Sequence, residues 1–245
     1  MPRYKLTIEY DGAPFAGFQR QHDLTTVQGA IEQAIFLYCQ QTVTLVTAGR
    51  TDSGVHATGQ VAHVDLTGER AAHRVQDALN YHVRNLPISI LAVEQVGDDF
   101  HARFSALARH YRYQILLRRA PVALERGRVW QIRHPLDVAA MRDAARVLLG
   151  KHDFTTFRHV NCQSKSPVKT LDRLDVDGRG DRIVIEASAR SFLHTQVRSL
   201  VGALVMVGDR RWTRADLEDA LRACNRERCA PIAPSHGLYL VKVDY

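Results

Sequence analysis

Polar and apolar residues alternate through positions 4–10, the period of a half-buried strand, and the alternation stops at an Asp11-Gly12 turn. Val27, Ile31 and Ile35 then recur at helical spacing across positions 27–40, and Thr25 with Gln28 resembles a capping box ahead of them. Strands over 43–48 and 60–65, a helix over 70–82 and a strand over 88–95 follow, before a polar Gly97-Asp98-Asp99 break. The second half repeats this order with longer connections. It reads as a strand over 106–117, a helix over 136–149 stopped by Gly150, a strand over 168–176, an Asp177-Gly178 turn and a strand over 182–189. A helix over 193–207, an additional helix over 213–225 and a strand over 237–243 complete it.

Each half therefore spells βαββαβ. That order predicts an α+β protein of two ferredoxin-like or RRM-like halves, 1–105 and 106–245, each a four-stranded sheet with helices on one face. Two such sheets, antiparallel or mixed and joined side by side, are expected to leave an active-site cleft at their junction. RNA-binding modules of this topology use the bare sheet face for unpaired bases. Topology by itself assigns no function.

At 245 residues, with 45% apolar and 24% charged, the chain has the balance of a soluble globular protein long enough for one large or two modest domains. It contains no run of 18 apolar residues, and its first residues pass straight into strand alternation. The expectation is accordingly a cytoplasmic protein with no membrane contact. Cys39, Cys162, Cys224 and Cys229 are scattered, which predicts reduced structural thiols.

The formal charge of +7 changes the picture by pointing to an anionic partner. Between His101 and His134 stand eight arginines (Arg103, Arg109, Arg112, Arg118, Arg119, Arg126, Arg128 and Arg133) against one acid, Glu125. Phe104, Tyr111, Tyr113 and Trp130 are interleaved with them. Either phosphates are neutralised and bases stacked here, or the segment is an ordinary solvated basic face.

Candidate chemistry concentrates in positions 48–65, AGRTDSGVHATGQVAHVD. Asp52 lies in a loop between two predicted strands, held between Gly49 and Gly54. A lone Asp in such a setting is usually a turn residue bonding its own backbone. His56, His63 and Asp65 lack a metal-binding pattern, and no P-loop or dinucleotide-binding glycine turn is present, which disfavours nucleotide-cofactor chemistry.

The nine residues GRTDSGVHA at 49–57 resemble the catalytic loop of the A-type tRNA pseudouridine synthases, and the resemblance continues over nearly the whole chain. DDFHARFSALARHYRY at 98–113 resembles the family segment carrying its active-site tyrosine. FTTFRHVNCQSKSP at 154–167 resembles its RNA-facing second-half loop. Positions 191–198 end in the family's valine-arginine pair, and Gly237-Leu238-Tyr239-Leu240 resembles its C-terminal motif. One departure is Phe18, where many members carry tryptophan; it bears on packing or on an RNA contact.

The resemblance implies an isomerase that converts uridine to pseudouridine at positions 38, 39 and 40 of the anticodon stem-loop. No metal, nucleotide or redox cofactor is implied, tRNA is the partner, and the enzyme is a homodimer. Asp52 is then the nucleophile, Arg198 its cationic partner from the second half, and Tyr111 the ring that stacks on the target uracil and handles a proton at C5. Arg50 corresponds to the residue that takes the vacated place in the RNA stack, and Leu238 to the apolar wall of the uracil pocket. Arg20, Gln21 and Arg158 are expected on the RNA-binding side. The competing readings are a non-catalytic tandem RNA-binding module and a metal-assisted nuclease or deaminase, which Cys and His spacing does not favour.

Overall fold

The computed structural model describes residues 1–245. Residues Met1–Leu107 and Tyr239–Tyr245 make one compact unit, and Ala108–Leu238 make a second.

In the first unit the chain order is β1 (Arg3–Tyr10), α1 (Val27–Cys39), β2 (Val46–Thr47), β3 (His56–Asp65), α2 (Ala72–Val83) and β4 (Ile88–Val96). The strands lie in the order β4-β1-β3-β2, every pair antiparallel, with Leu6 of β1 opposite both Ala62 and Val93. This is the ferredoxin-like arrangement that the hydrophobic pattern predicts. Strand β1 forms because its alternation buries Tyr4, Leu6, Ile8 and Tyr10 while Glu9 stays exposed. Strand β11 (Leu238–Asp244) adds a parallel pairing to β3 through Tyr239 opposite His56 and Leu240 opposite Ala57, so the sheet is mixed.

Two local expectations are corrected here. The cap of α1 is Thr26, whose hydroxyl accepts from Gly29 N, and not Thr25 with Gln28. Thr25 belongs to the preceding loop, its carbonyl accepting from Ala16 N, while Gln28 accepts from Arg20 N and donates to Glu32. The expected strand over 43–48 shrinks to the two residues of β2, because Leu45 N turns away to donate to the buried Glu32 carboxylate.

The second unit contains β5 (Ala108–Leu117), β6 (Trp130–Ile132), α3 (Val138–Ala145), β7 (Gly150–Asp153), β8 (Val168–Leu171), β9 (Arg173–Arg179), β10 (Arg182–Ala189), α4 (Gln196–Gly208) and α5 (Arg214–Arg222). Its sheet runs β5-β10-β9 antiparallel, with β6 parallel beside β5, and α3 packs on α4 and β9. Helix α5 opens on a complete capping box, Thr213 with Asp216.

Gly150, at φ +92°, does end the preceding helical stretch, but it also begins β7, which pairs with β8 in a two-stranded ribbon that carries no hydrophobic alternation. The expected strand over 168–176 therefore divides at Asp172 into a ribbon strand and a sheet strand. The turn expected at Asp177-Gly178 falls instead at Gly180, φ +60°. Gly178 stays in the ladder opposite Ile183, and a Cβ on it would meet the Val138 side chain at 3.0 Å, so it serves the approach of α3.

Candidate active site

Asp52 is partly exposed and sits in the β2–β3 connection, immediately before a turn closed by Val55 N donating to Asp52 O at 3.1 Å. Gly54 takes φ +75° there, a conformation that strongly favours glycine. The segment from Gly12 to Gln21 packs directly on this loop: Phe18 N donates to Thr51 O, and the Ser53 hydroxyl donates to Phe15 O. A Cβ on Gly12 would stand 2.0 Å from Val55 O, which rules out any side chain at that position without moving the loop.

Phe18 is fully buried with its ring 6.1 Å from Tyr10, so the departure from tryptophan is a matter of packing. On the C-terminal side of the loop, His56 is buried and stacks on Tyr239 with centroids 4.7 Å apart. Its Nδ1 lies 3.0 Å from both Gly12 N and Asp11 Oδ1. The Gly12 amide donates to this Nδ1, so the ring braces the Asp11-Gly12 turn against the start of β3.

Of the other expected residues in this unit, Arg50 is exposed on the same loop, two positions from Asp52. The Arg20 guanidinium is paired with Glu32, a buried carboxylate that also accepts from Leu45 N and Gln28 Nε2. Gln21 is exposed and donates to Ala16 O at 2.7 Å. Both therefore help to hold the 13–21 loop in shape.

In the second unit, Tyr111 and the loop of Arg158 touch the segment 190–198, which ends in Arg198. Arg198, in the first turn of α4, donates from Nε to Ala233 O at 2.9 Å and accepts from Ala233 N at its own carbonyl. Tyr113 donates to Pro234 O at 2.7 Å, and Gly237 lies so close to the Tyr113 ring that a Cβ would meet it at 2.6 Å. Burial pushes the Tyr113 phenol up, with the nearby Arg198 charge acting in the opposite direction. Leu238 follows directly and is buried.

Tyr111 is half-buried and meets the edge of Phe192, centroids 5.2 Å apart at 87°. The buried Arg109 donates to Arg190 O, fixing the start of the segment that carries Phe192. Arg158 is half-buried in the 154–167 loop, which is tied to the same segment by His159 N donating to His194 O. That loop is only partly turned outward: Phe154, Thr156 and Phe157 are fully buried, and the Thr156 hydroxyl donates to Ala220 O.

Helix α4 starts from Thr195 in the left-handed region, φ +61° and ψ 2°, a genuine outlier for a β-branched residue. Its hydroxyl is buried with no hydrogen-bond partner, so the helix has no side-chain cap, and Gln196 Oε1 accepts from Leu193 N ahead of the helix. The basic stretch from His101 to His134 is not one face: Arg109 is buried, Arg112 pairs with Glu186, and Glu125 pairs with Arg182. No group of three His, Cys, Asp or Glu side chains is placed to hold a metal ion, and no helix is long and apolar enough to cross a membrane.

A family model described as tRNA pseudouridine synthase matches residues 6–105 and 144–245, that is, both halves. The chain is 60% identical over 245 residues to a tRNA pseudouridine synthase A of Rhodopseudomonas palustris (strain HaA2), covering 100% of each. It is 57% identical, again over 100% of each, to one of Xanthobacter autotrophicus (strain ATCC BAA-1158 / Py2). Over 247 residues it is 58% identical to one of Bartonella tribocorum (strain CIP 105476 / IBS 506), at the same coverage. Matched in both halves and end to end, the chain belongs to the tRNA pseudouridine synthases, a family of isomerases.

Proposed function

We propose that this chain isomerises uridine to pseudouridine at positions 38, 39 and 40 of the tRNA anticodon stem-loop, acting in the cytoplasm as a homodimer with Asp52 as its nucleophile. The C1′–N1 bond breaks, the detached uracil turns, and C1′ joins C5. A proton leaves C5 while N1 gains one, so the sum is an isomerisation that needs no co-reactant. Cleavage develops positive charge at C1′, which an ionised carboxylate stabilises, whether it attacks C1′ or takes a neighbouring proton.

Arg198 supplies the cation that keeps Asp52 ionised, since an opposite charge lowers a carboxylate pKa by roughly 1–3 units. Tyr111 receives the everted uracil and manages the C5 proton; base stacking on an aromatic ring contributes about 1–3 kcal/mol. Leu238 walls the pocket, Arg50 fills the gap left in the stem, and Arg20, Gln21 and Arg158 contact the RNA. The observation that carries this reading is the GRTDSGVHA loop presenting a single partly exposed carboxylate, within a chain of this family.

The test is to incubate the purified chain with tRNA transcripts carrying uridine at 38, 39 and 40 and to map pseudouridine by sequence position. Conversion at those three positions is expected. Conversion confined to another region of the tRNA overturns the site assignment, and absence of conversion overturns the activity.

A further inference from the structure

Three polar side chains that no expectation singled out surround the loop of Asp52 from inside the first unit. Tyr10, the last residue of β1, is 2% exposed, Thr51 is 7% exposed and Gln60 of β3 is fully buried. Buried polar groups are costly unless paired, and these pair with one another and with the loop. The Tyr10 hydroxyl lies 2.8 Å from Thr51 Oγ1. Gln60 Nε2 donates to Gly49 O at 2.7 Å and, more weakly, to the Tyr10 hydroxyl at 3.4 Å. Thr47 adds a second donor to Gly49 O at 3.2 Å.

The two tethered points, Gly49 and Thr51, flank Arg50, and Thr51 immediately precedes Asp52 in sequence. Gln60 is itself fixed by its place in β3 and by accepting from Val61 N. Burial pushes the Tyr10 phenol up to about 12, against the pull of its bonds to Thr51 and Gln60. It is therefore neutral near pH 7 and acts by holding geometry rather than by moving a proton.

We infer that Tyr10, Thr51 and Gln60 are positioning residues that hold the Asp52 carboxylate where the reaction needs it. This rests on the assignment of Asp52 made above. A buried, mutually satisfied network keeps a loop in one arrangement before substrate arrives, and such preorganisation acts on the chemical step more than on binding. A displacement of about 1 Å at a reacting group can cost up to about 100-fold in rate.

The experiment compares single-turnover rates, at enzyme concentrations that saturate tRNA, for Tyr10→Phe, Thr51→Val and Thr51→Ser, with tRNA Kd measured by filter binding. Far-UV circular dichroism at the assay temperature confirms that each variant is folded. Tyr10→Phe and Thr51→Val are expected to slow the chemical step by about 10-fold or more with Kd unchanged. The double variant is expected to be no slower than the slower single one, and Thr51→Ser, which keeps the hydroxyl, is expected to react at the wild-type rate. Wild-type rates in both Tyr10→Phe and Thr51→Val overturn the positioning role and leave the assignment of Asp52 standing. Activity that survives in Asp52→Asn overturns both.

Discussion

Gly17 lies against Thr51 so closely that a Cβ built on it would stand 2.9 Å from the Thr51 carbonyl oxygen and 3.3 Å from Ser53 N. Its φ of +104° is likewise closed to side chains. The first loop of the chain and the loop of Asp52 thus form one packed object, although 35 positions separate Gly17 from Asp52 (52 minus 17).

Replacing Gly17 by Ala strains the backbone and pushes the Asp52 loop. Stability is expected to fall by about 1–3 kcal/mol, read from urea unfolding. Turnover is expected to fall further than the unfolded fraction explains, because the displacement acts on the loop that bears the carboxylate.

Thr195 offers the opposite sign. A β-branched residue at φ +61° with an unpaired buried hydroxyl is strained before any substrate is present. Thr195→Gly is therefore expected to raise stability by about 1 kcal/mol, seen as a higher urea midpoint at unchanged m-value. A loss of stability would mean that the threonine methyl contributes more packing than its backbone conformation costs.

His63 sets an acid limit on the first unit. Burial first, then the charges of Arg3 and His101, lower its pKa to about 4, and its Nδ1 accepts from Ala102 N, which requires the neutral ring. The unfolded chain binds this proton near pH 6.5 and the folded chain only near 4. The contribution is thus fully present above pH 6.5 and is lost as pH falls from 6.5 to 4. The slope from this one group is at most about 1.4 kcal/mol per pH unit. Asp65, held below the ordinary carboxylate range by its bond to Arg3, continues the loss at lower pH. Denaturation curves between pH 7 and 4.5 are expected to flatten in His63→Gln, which keeps an acceptor for Ala102 N without titrating.

Much of this was legible in the residues. Alternation ending at Tyr10 makes β1 readable, and the spacing of Val27, Ile31 and Ile35 does the same for α1, because both elements bury one face of a regular period. Long-range closures were not. Strands β7 and β8 are four residues each and pair across the intervening 154–167 loop, so neither carries a period to detect. Gly178 looks like a turn residue until α3 is placed on it.

At the candidate site, Asp52, Tyr111 and Arg198 were named through the family motif, since a lone aspartate between glycines carries no such message. Tyr10 carries a physical signal of its own: it continues the buried parity of Tyr4, Leu6 and Ile8, so its hydroxyl has to find a partner inside. Gln60, a polar residue in the middle of β3, carries the same signal. Phe192 had none, because its contact with Tyr111 depends on a loop shape set by Arg109 and Arg190.

The most direct measurement is release of the C5 hydrogen from uridine-labelled tRNA by Asp52→Asn, alongside tRNA binding by the same protein. Asparagine keeps the size of the side chain and removes its charge. The expected result is no release above background with tRNA Kd close to wild type. Release at the wild-type rate contradicts the assignment of Asp52 as the nucleophile.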